Sequence, residues 1–171
     1  KTIFVGDTSV NEYPSSEQLA EIAISTARVV RLFGFDPKFA FVSHSTFGQP
    51  ITSRTKHIRE SVDILKNQKV DFKFDGDMQP DVALNEEYKE LYPFSEIVGN
   101  ANILIMPGQH SAAISYKMMK TLSGAKVIGP LLIGLGQPIE IAPLRSSTSE
   151  ILNLASVAAY SASVINYSKK N

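Results

Sequence analysis

The chain contains no cysteine in 171 residues. Disulfides, thiolate catalysis and cysteine-ligated zinc are therefore excluded, and a reducing compartment fits the composition. It also lacks a charge of one dominant sign: 17 Lys and Arg balance 17 Asp and Glu. No global field draws it to nucleic acid or an anionic membrane, although zero net charge leaves room for a local basic patch. No apolar run reaches the length that crosses a bilayer, and no stretch has the basic, apolar and small-residue order of a signal peptide. The three histidines, His44, His57 and His110, are not paired at metal-ligand spacing, so no metal site is expected. Gly134-Leu135-Gly136 lacks a third glycine and opens no helix, so a dinucleotide fingerprint is not expected either.

What is present reads as an ordinary folded protein. Apolar residues make up 43% and charged residues 20% of the chain, enough for a sizeable core. With no internal repeat, low-complexity tract or linker, residues 1–171 are expected to form one domain. The first residues, Lys1-Thr2-Ile3-Phe4-Val5-Gly6, begin inside a strand-like run without an initiator Met. The chain is therefore expected to be a fragment of a longer polypeptide.

Strand and helix signals alternate. Ile3-Phe4-Val5 is a short apolar run. Ser15 and Gln18 have capping-box spacing, and Leu19, Ile22, Ala23, Ala27, Val30 and Phe33 repeat at helical spacing before Gly34, a C-terminal cap glycine. Residues 39–43 predict a buried strand and 44–53 a polar loop. Residues 54–66 predict a helix with Ile58, Val62 and Leu65 as its stripe, and 70–74 alternate as a strand. From 79 to 91 the pattern is helical but broken, and Pro93 ends it. Residues 103–106 predict a buried strand and 112–122 a helix. Short strands are expected near 127–132 and 139–141, with a hairpin between them. Ser147 and Glu150 form a second capping-box pair, opening a helix to about Val164. This alternation predicts a three-layer α/β/α fold around a mostly parallel, mixed sheet.

Several polar residues fall at predicted strand ends, where sheets of this kind hold ligands. Ser45 and Thr46 offer hydroxyls and free backbone N–H groups after the second strand; the same residues also suit a plain turn. Asp7 and Asp75 end two other strands and are able to meet in one cleft, or simply to stabilise turns. Gln79 stands at the entry of the following helix, beside Asp81. Arg145 precedes the last helix, where an arginine can meet phosphate or solvent. Glu150 reads either as a general base or as the reciprocal acid of its cap.

Taken in order, the chain resembles the phosphate acetyltransferase and butyryltransferase family. The resembling segments are Asp7-Thr8-Ser9-Val10-Asn11, Ser16-Glu17-Gln18-Leu19-Ala20-Glu21-Ile22-Ala23, Ser43-His44-Ser45-Thr46-Phe47-Gly48, Asp75-Gly76-Asp77-Met78-Gln79-Pro80-Asp81, residues 102–107, and Gly129-Pro130-Leu131-Leu132-Ile133-Gly134-Leu135. More narrowly, Met78-Gln79-Pro80-Asp81-Val82-Ala83-Leu84-Asn85, Leu91-Tyr92-Pro93-Phe94-Ser95 and His110-Ser111-Ala112 resemble the C-terminal phosphotransacetylase-like region of large bacterial malic enzymes.

The resemblance implies a phosphotransacetylase-like fold, a cytoplasmic homo-oligomer (a dimer), and acetyl-CoA as ligand. It also implies a fused N-terminal malic enzyme domain as partner, with NADP and a divalent metal belonging to that dehydrogenase. Active family members carry a Ser-Arg pair after the glycine-proline segment and an acid six residues beyond the arginine. Counted from Gly129, those positions fall on Pro143, Leu144 and Glu150, with Arg145 one place further on. The resemblance thus implies a region that senses acetyl-CoA without catalysing acyl transfer, with Ser45, Thr46, Arg145, Asp75, Gln79 and Asp7 as candidate ligand contacts. The rival expectations are an active acyltransferase, using Arg145, Glu150 and Asp75 in a shifted geometry, and a pure oligomerisation module.

Overall fold

The computed structural model describes residues 1–7 and 9–168. The chain packs as two compact units, Lys1–Lys117 and Met118–Asn171. The boundary falls inside one helix, so no composition shift marks it.

The first unit is built on four parallel strands: β1 (Phe4–Gly6), β2 (Lys38–Val42), β3 (Lys73–Met78) and β4 (Ile103–Ile105), in the order β1-β4-β2-β3. Helix α1 (Ser16–Leu32) connects β1 to β2, and α2 (Ser53–Gln68) connects β2 to β3. After β3 come the short α3 (Pro80–Leu84) and a 3₁₀ turn (Glu86–Glu90), and α4 (Gln109–Ser123) follows β4. Helices α1 and α2 start where their capping chemistry allows. Ser15 accepts from the Gln18 N–H while the Gln18 side chain accepts from the Ser15 N–H, and Thr52 and Thr55 make the same reciprocal pair. Gly34, with φ +80, follows the end of α1, in the left-handed region that glycine enters most easily.

Side-chain alternation divides the core into two layers. Phe39, Phe41, Ile103 and Ile105 face α1 and α2, where Leu19, Ala23, Val30, Ile58, Val62 and Leu65 meet them. Ala40, Val42, Leu104 and Met106 face the other way, against Val82, Ala83, Ile97, Val98 and Ala112. Both faces are covered, which is why β2 and β4 are nearly continuous apolar runs rather than polar–apolar alternations.

Three expectations need correction. The sheet of the first unit is wholly parallel, and β3 runs to Met78 rather than ending at 74. Residues 127–132 and 139–141 form no strand, and no hairpin joins them. A strand is stable only beside a partner edge, and the described residues of the second unit provide none. Instead, the Leu132 N–H donates to the Glu140 carboxylate at 3.2 Å. Partial burial raises the Glu140 pKa, and that N–H opposes the rise. The regular element lying wholly in the second unit is α5 (Thr148–Ser168), opened as expected by Ser147 and Glu150.

Candidate functional site at the carboxyl end of the sheet

β2 and β3 pair in register as far as Phe41 and Gly76, after which the register shifts and Val42 pairs with Met78. Asp77 is the extra residue. A bulge of this kind re-aims a side chain at a strand end. Strict alternation would return Met78 to the face of Phe74, yet Met78 lies in the opposite core layer. Gly76 has φ +153 beside Phe41, where a Cβ would stand 2.7 Å from both the Phe41 Cβ and its carbonyl oxygen.

The re-aimed Asp77 is fully buried and holds the loop after β2 from beneath. Its carboxylate accepts the Ser45 hydroxyl hydrogen and, at 3.1 Å, the Gly48 N–H. Its backbone carbonyl accepts from the Phe47 N–H at 2.6 Å. The Nε of Arg59, from the second turn of α2, lies 3.9 Å from Asp77 Oδ1. Further bonds complete the clamp: the Gln79 N–H donates to Thr46 Oγ1 at 3.2 Å, and Gln79 Nε2 donates to the His44 carbonyl at 3.1 Å. Above the loop, the Phe47 ring packs at 4.8 Å from Phe94 and 5.3 Å from Tyr92, centroid to centroid. The loop is therefore held by contacts within the first unit itself.

Of the candidate contacts, Ser45, Thr46 and Gln79 converge here. The Ser45 hydroxyl is fully buried and engaged by Asp77, while Gln79 is exposed. Asp75 lies inside β3, half-buried, and its carboxylate accepts the Gly76 N–H at 2.9 Å. Asp7 ends β1 and closes a local turn, accepting from the Val10 N–H at 3.0 Å and the Asn11 side chain at 2.6 Å. Asp7 and Asp75 do not meet. β1 and β3 are the two edges of this sheet, roughly 14 Å apart at the usual strand spacing. His57 is half-buried and lines an open hollow of about 440 Å³ with Tyr13, Ser16 and Glu60.

Arg145 belongs to the second unit and is exposed, as are Pro143 and Leu144; Leu144 shows its whole side chain to solvent. Glu150 accepts from the Ser147 N–H at 2.8 Å and pairs with Lys120 at 2.8 Å. The hydrogen bond from Lys120, followed by those from Ser147, lowers the Glu150 pKa to about 2. Of its two sequence readings, the capping role is the one its geometry fills. Among the described residues, no group of three His, Asp or Glu is placed to hold a metal ion, and no helix is long and apolar enough to cross a membrane.

Sequence reasoning missed Asp77 and Arg59. Gly76 inside a strand-like run hints at a bulge, but that Asp77 is the residue it re-aims depends on how β2 and β3 pair. Arg59 was hidden among the other basic residues of α2.

The profile of the phosphate acetyl/butaryl transferase family matches residues 1–159. An NADP-dependent malic enzyme of Rhizobium meliloti (strain 1021) is 46% identical over 162 residues, covering 95% of this chain and 21% of its own length. A phosphate acetyltransferase of Clostridium acetobutylicum is 34% identical over 157 residues, 91% of this chain and 47% of its own. The crystal structure of a phosphotransacetylase from Streptococcus pyogenes superposes with a TM-score of 0.88 at 34% identity, covering 92% of this chain and 48% of that one. The chain thus spans about a fifth of the malic enzyme and about half of each phosphotransacetylase.

Proposed function

Because the chain belongs to the phosphate acetyl/butaryl transferase family, we propose that it is an acetyl-CoA-responsive regulatory region of an NADP-dependent malic enzyme, without acyltransferase activity of its own. NADP, the divalent metal and the oxidative decarboxylation of malate belong, in this reading, to a fused dehydrogenase. The observation that carries the proposal is the pair Pro143 and Leu144 at the positions counted for a serine and an arginine. Neither side chain donates a hydrogen bond or neutralises a phosphoryl group, and Leu144 lies wholly in solvent. Losing a cation aimed at a transferring group removes several kcal/mol of transition-state stabilisation. Glu150, at the acid position, is occupied by its cap and by Lys120. The higher identity to a malic enzyme than to a phosphate acetyltransferase supports the same assignment.

What the first unit retains is suited to recognition. The loop at the end of β2 is pre-set by Asp77, and the Ser45 hydroxyl that Asp77 holds is fully buried. Regulation follows if acetyl-CoA binds one arrangement of the polypeptide better than another, and the effect on the dehydrogenase cannot exceed that difference in affinity. The protein acts in the cytoplasm as a homodimer joined by a self-complementary patch.

Two measurements on the complete polypeptide test the reading. Titration calorimetry is expected to show acetyl-CoA binding, and an assay for acyl phosphate formation is expected to stay at background. Absence of binding removes the sensor reading. Robust acyl phosphate formation makes the region an enzyme instead.

A further inference from the structure

We propose that Arg59 is an anion-binding side chain, braced to take a phosphate-ester group of a ligand lodged at the carboxyl end of β2. The first seven residues of α2 carry Arg54, Lys56, His57 and Arg59, and its first turn has no acid. Lys56 lies near Glu60 at 3.9 Å, an exposed pair within one helix. Arg59 is placed differently. Its one polar contact among the described residues is the 3.9 Å approach of Nε to Asp77 Oδ1. That approach is longer than the 2.7–2.9 Å of a charge-assisted hydrogen bond. The buried carboxylate does not depend on it for hydrogen bonding, because Ser45 and the Gly48 N–H already serve its two oxygens. Asp77 thus gives Arg59 a fixed counter-charge behind Nε without occupying the guanidinium fork.

A second brace comes from the loop. A Cβ at Gly48 would stand 2.5 Å from Arg59 Nη1, so the guanidinium lies directly against the Gly48 backbone. Held on these two sides, the Arg59 side chain still shows 49% of its surface to solvent. The result is a planar cation with unspent N–H donors, pre-positioned beside a rigid loop where open α/β sheets place their ligands. A guanidinium fork matches two oxygens of a phosphate ester. Choosing the esters of acetyl-CoA as occupant rests on the function proposed above; the anion site itself rests on Arg59, Asp77 and Gly48.

The test uses the complete polypeptide and three probes: acetyl-CoA, acetylpantetheine (the acyl arm without the nucleotide and its phosphate esters beyond the pantetheine) and inorganic pyrophosphate. In Arg59→Gln, affinity for acetyl-CoA and for pyrophosphate is expected to fall about tenfold, the size of one lost charged hydrogen bond. Affinity for acetylpantetheine is expected not to change. Arg59→Lys keeps a charge opposite Asp77, so it preserves folding if the Gln variant unfolds, and it is expected to show the same selective loss to a smaller degree. Equal pyrophosphate affinity in wild type and both variants overturns the site, as does a loss that includes acetylpantetheine. If pyrophosphate discriminates but acetyl-CoA fails to bind the wild type, the anion site stands and the coenzyme reading falls.

Discussion

Asp77 concentrates more of the loop's geometry than any other single side chain near it. Replacing it by alanine strands the Gly48 N–H in a buried setting and leaves the Ser45 hydroxyl only a long 3.4 Å contact with Ser43. The Asp77→Ala variant is therefore expected to lose about 3–5 kcal/mol, read from the shift of a urea unfolding midpoint. Asp77→Asn, which can still accept one of these bonds, is expected to lose less. Gly76 is constrained for a different reason. At φ +153 against Phe41 it has no room for a Cβ, so Gly76→Ala is expected to cost on the order of 3 kcal/mol by the same measurement. At this scale the sequence was half legible. Ser45, Thr46 and Gln79 were identified as strand-end polar groups, and they do converge. Asp77 was not, because its role comes from a register shift, which depends on how β2 and β3 pair and not on either strand alone.

At the scale of elements, the capping boxes were readable because they are local. Ser15 with Gln18 and Ser147 with Glu150 each close a turn within four residues. The second one carries a pH dependence. The Glu150 pKa falls from an ordinary 4.5 to about 2, chiefly through Lys120. A lowered folded-state pKa gives stability that is present above the unfolded value and lost as pH falls through the folded value. The first turn of α5 is therefore expected to open progressively between about pH 4.5 and 2, seen as faster amide exchange. Glu150→Gln is expected to exchange faster at neutral pH and to show no such acid step. The strands expected at 127–132 and 139–141 failed for the complementary reason: their apolar runs fit a strand, but strand formation needs an edge that local sequence does not supply.

For the whole molecule, every residue of the two core layers lies at or before Ala112. In the second unit, Leu154 is the buried apolar residue among those described, whereas Leu122, Ile128, Ile139, Ile141 and Leu144 are exposed. Residues 124–147 contain neither helix nor strand. Limited proteolysis is expected to cut first within 124–147 and to leave a resistant fragment ending near Ser123, identified by mass spectrometry. Early cuts within α1 or α2 would contradict this distribution of stability.

By itself, the sequence determined the α/β alternation, the capped starts of α1 and α5, the absence of any thiol chemistry and the family to which the chain belongs. Each of these is written in residue identity or in short-range periodicity. Tertiary structure alone decided that β1 and β3 lie at opposite edges and keep Asp7 from Asp75, that Asp77 turns beneath the β2 loop, and that Arg59 is braced against Gly48. Those outcomes depend on strand order, register and the packing of residues far apart along the chain, and no local pattern encodes them.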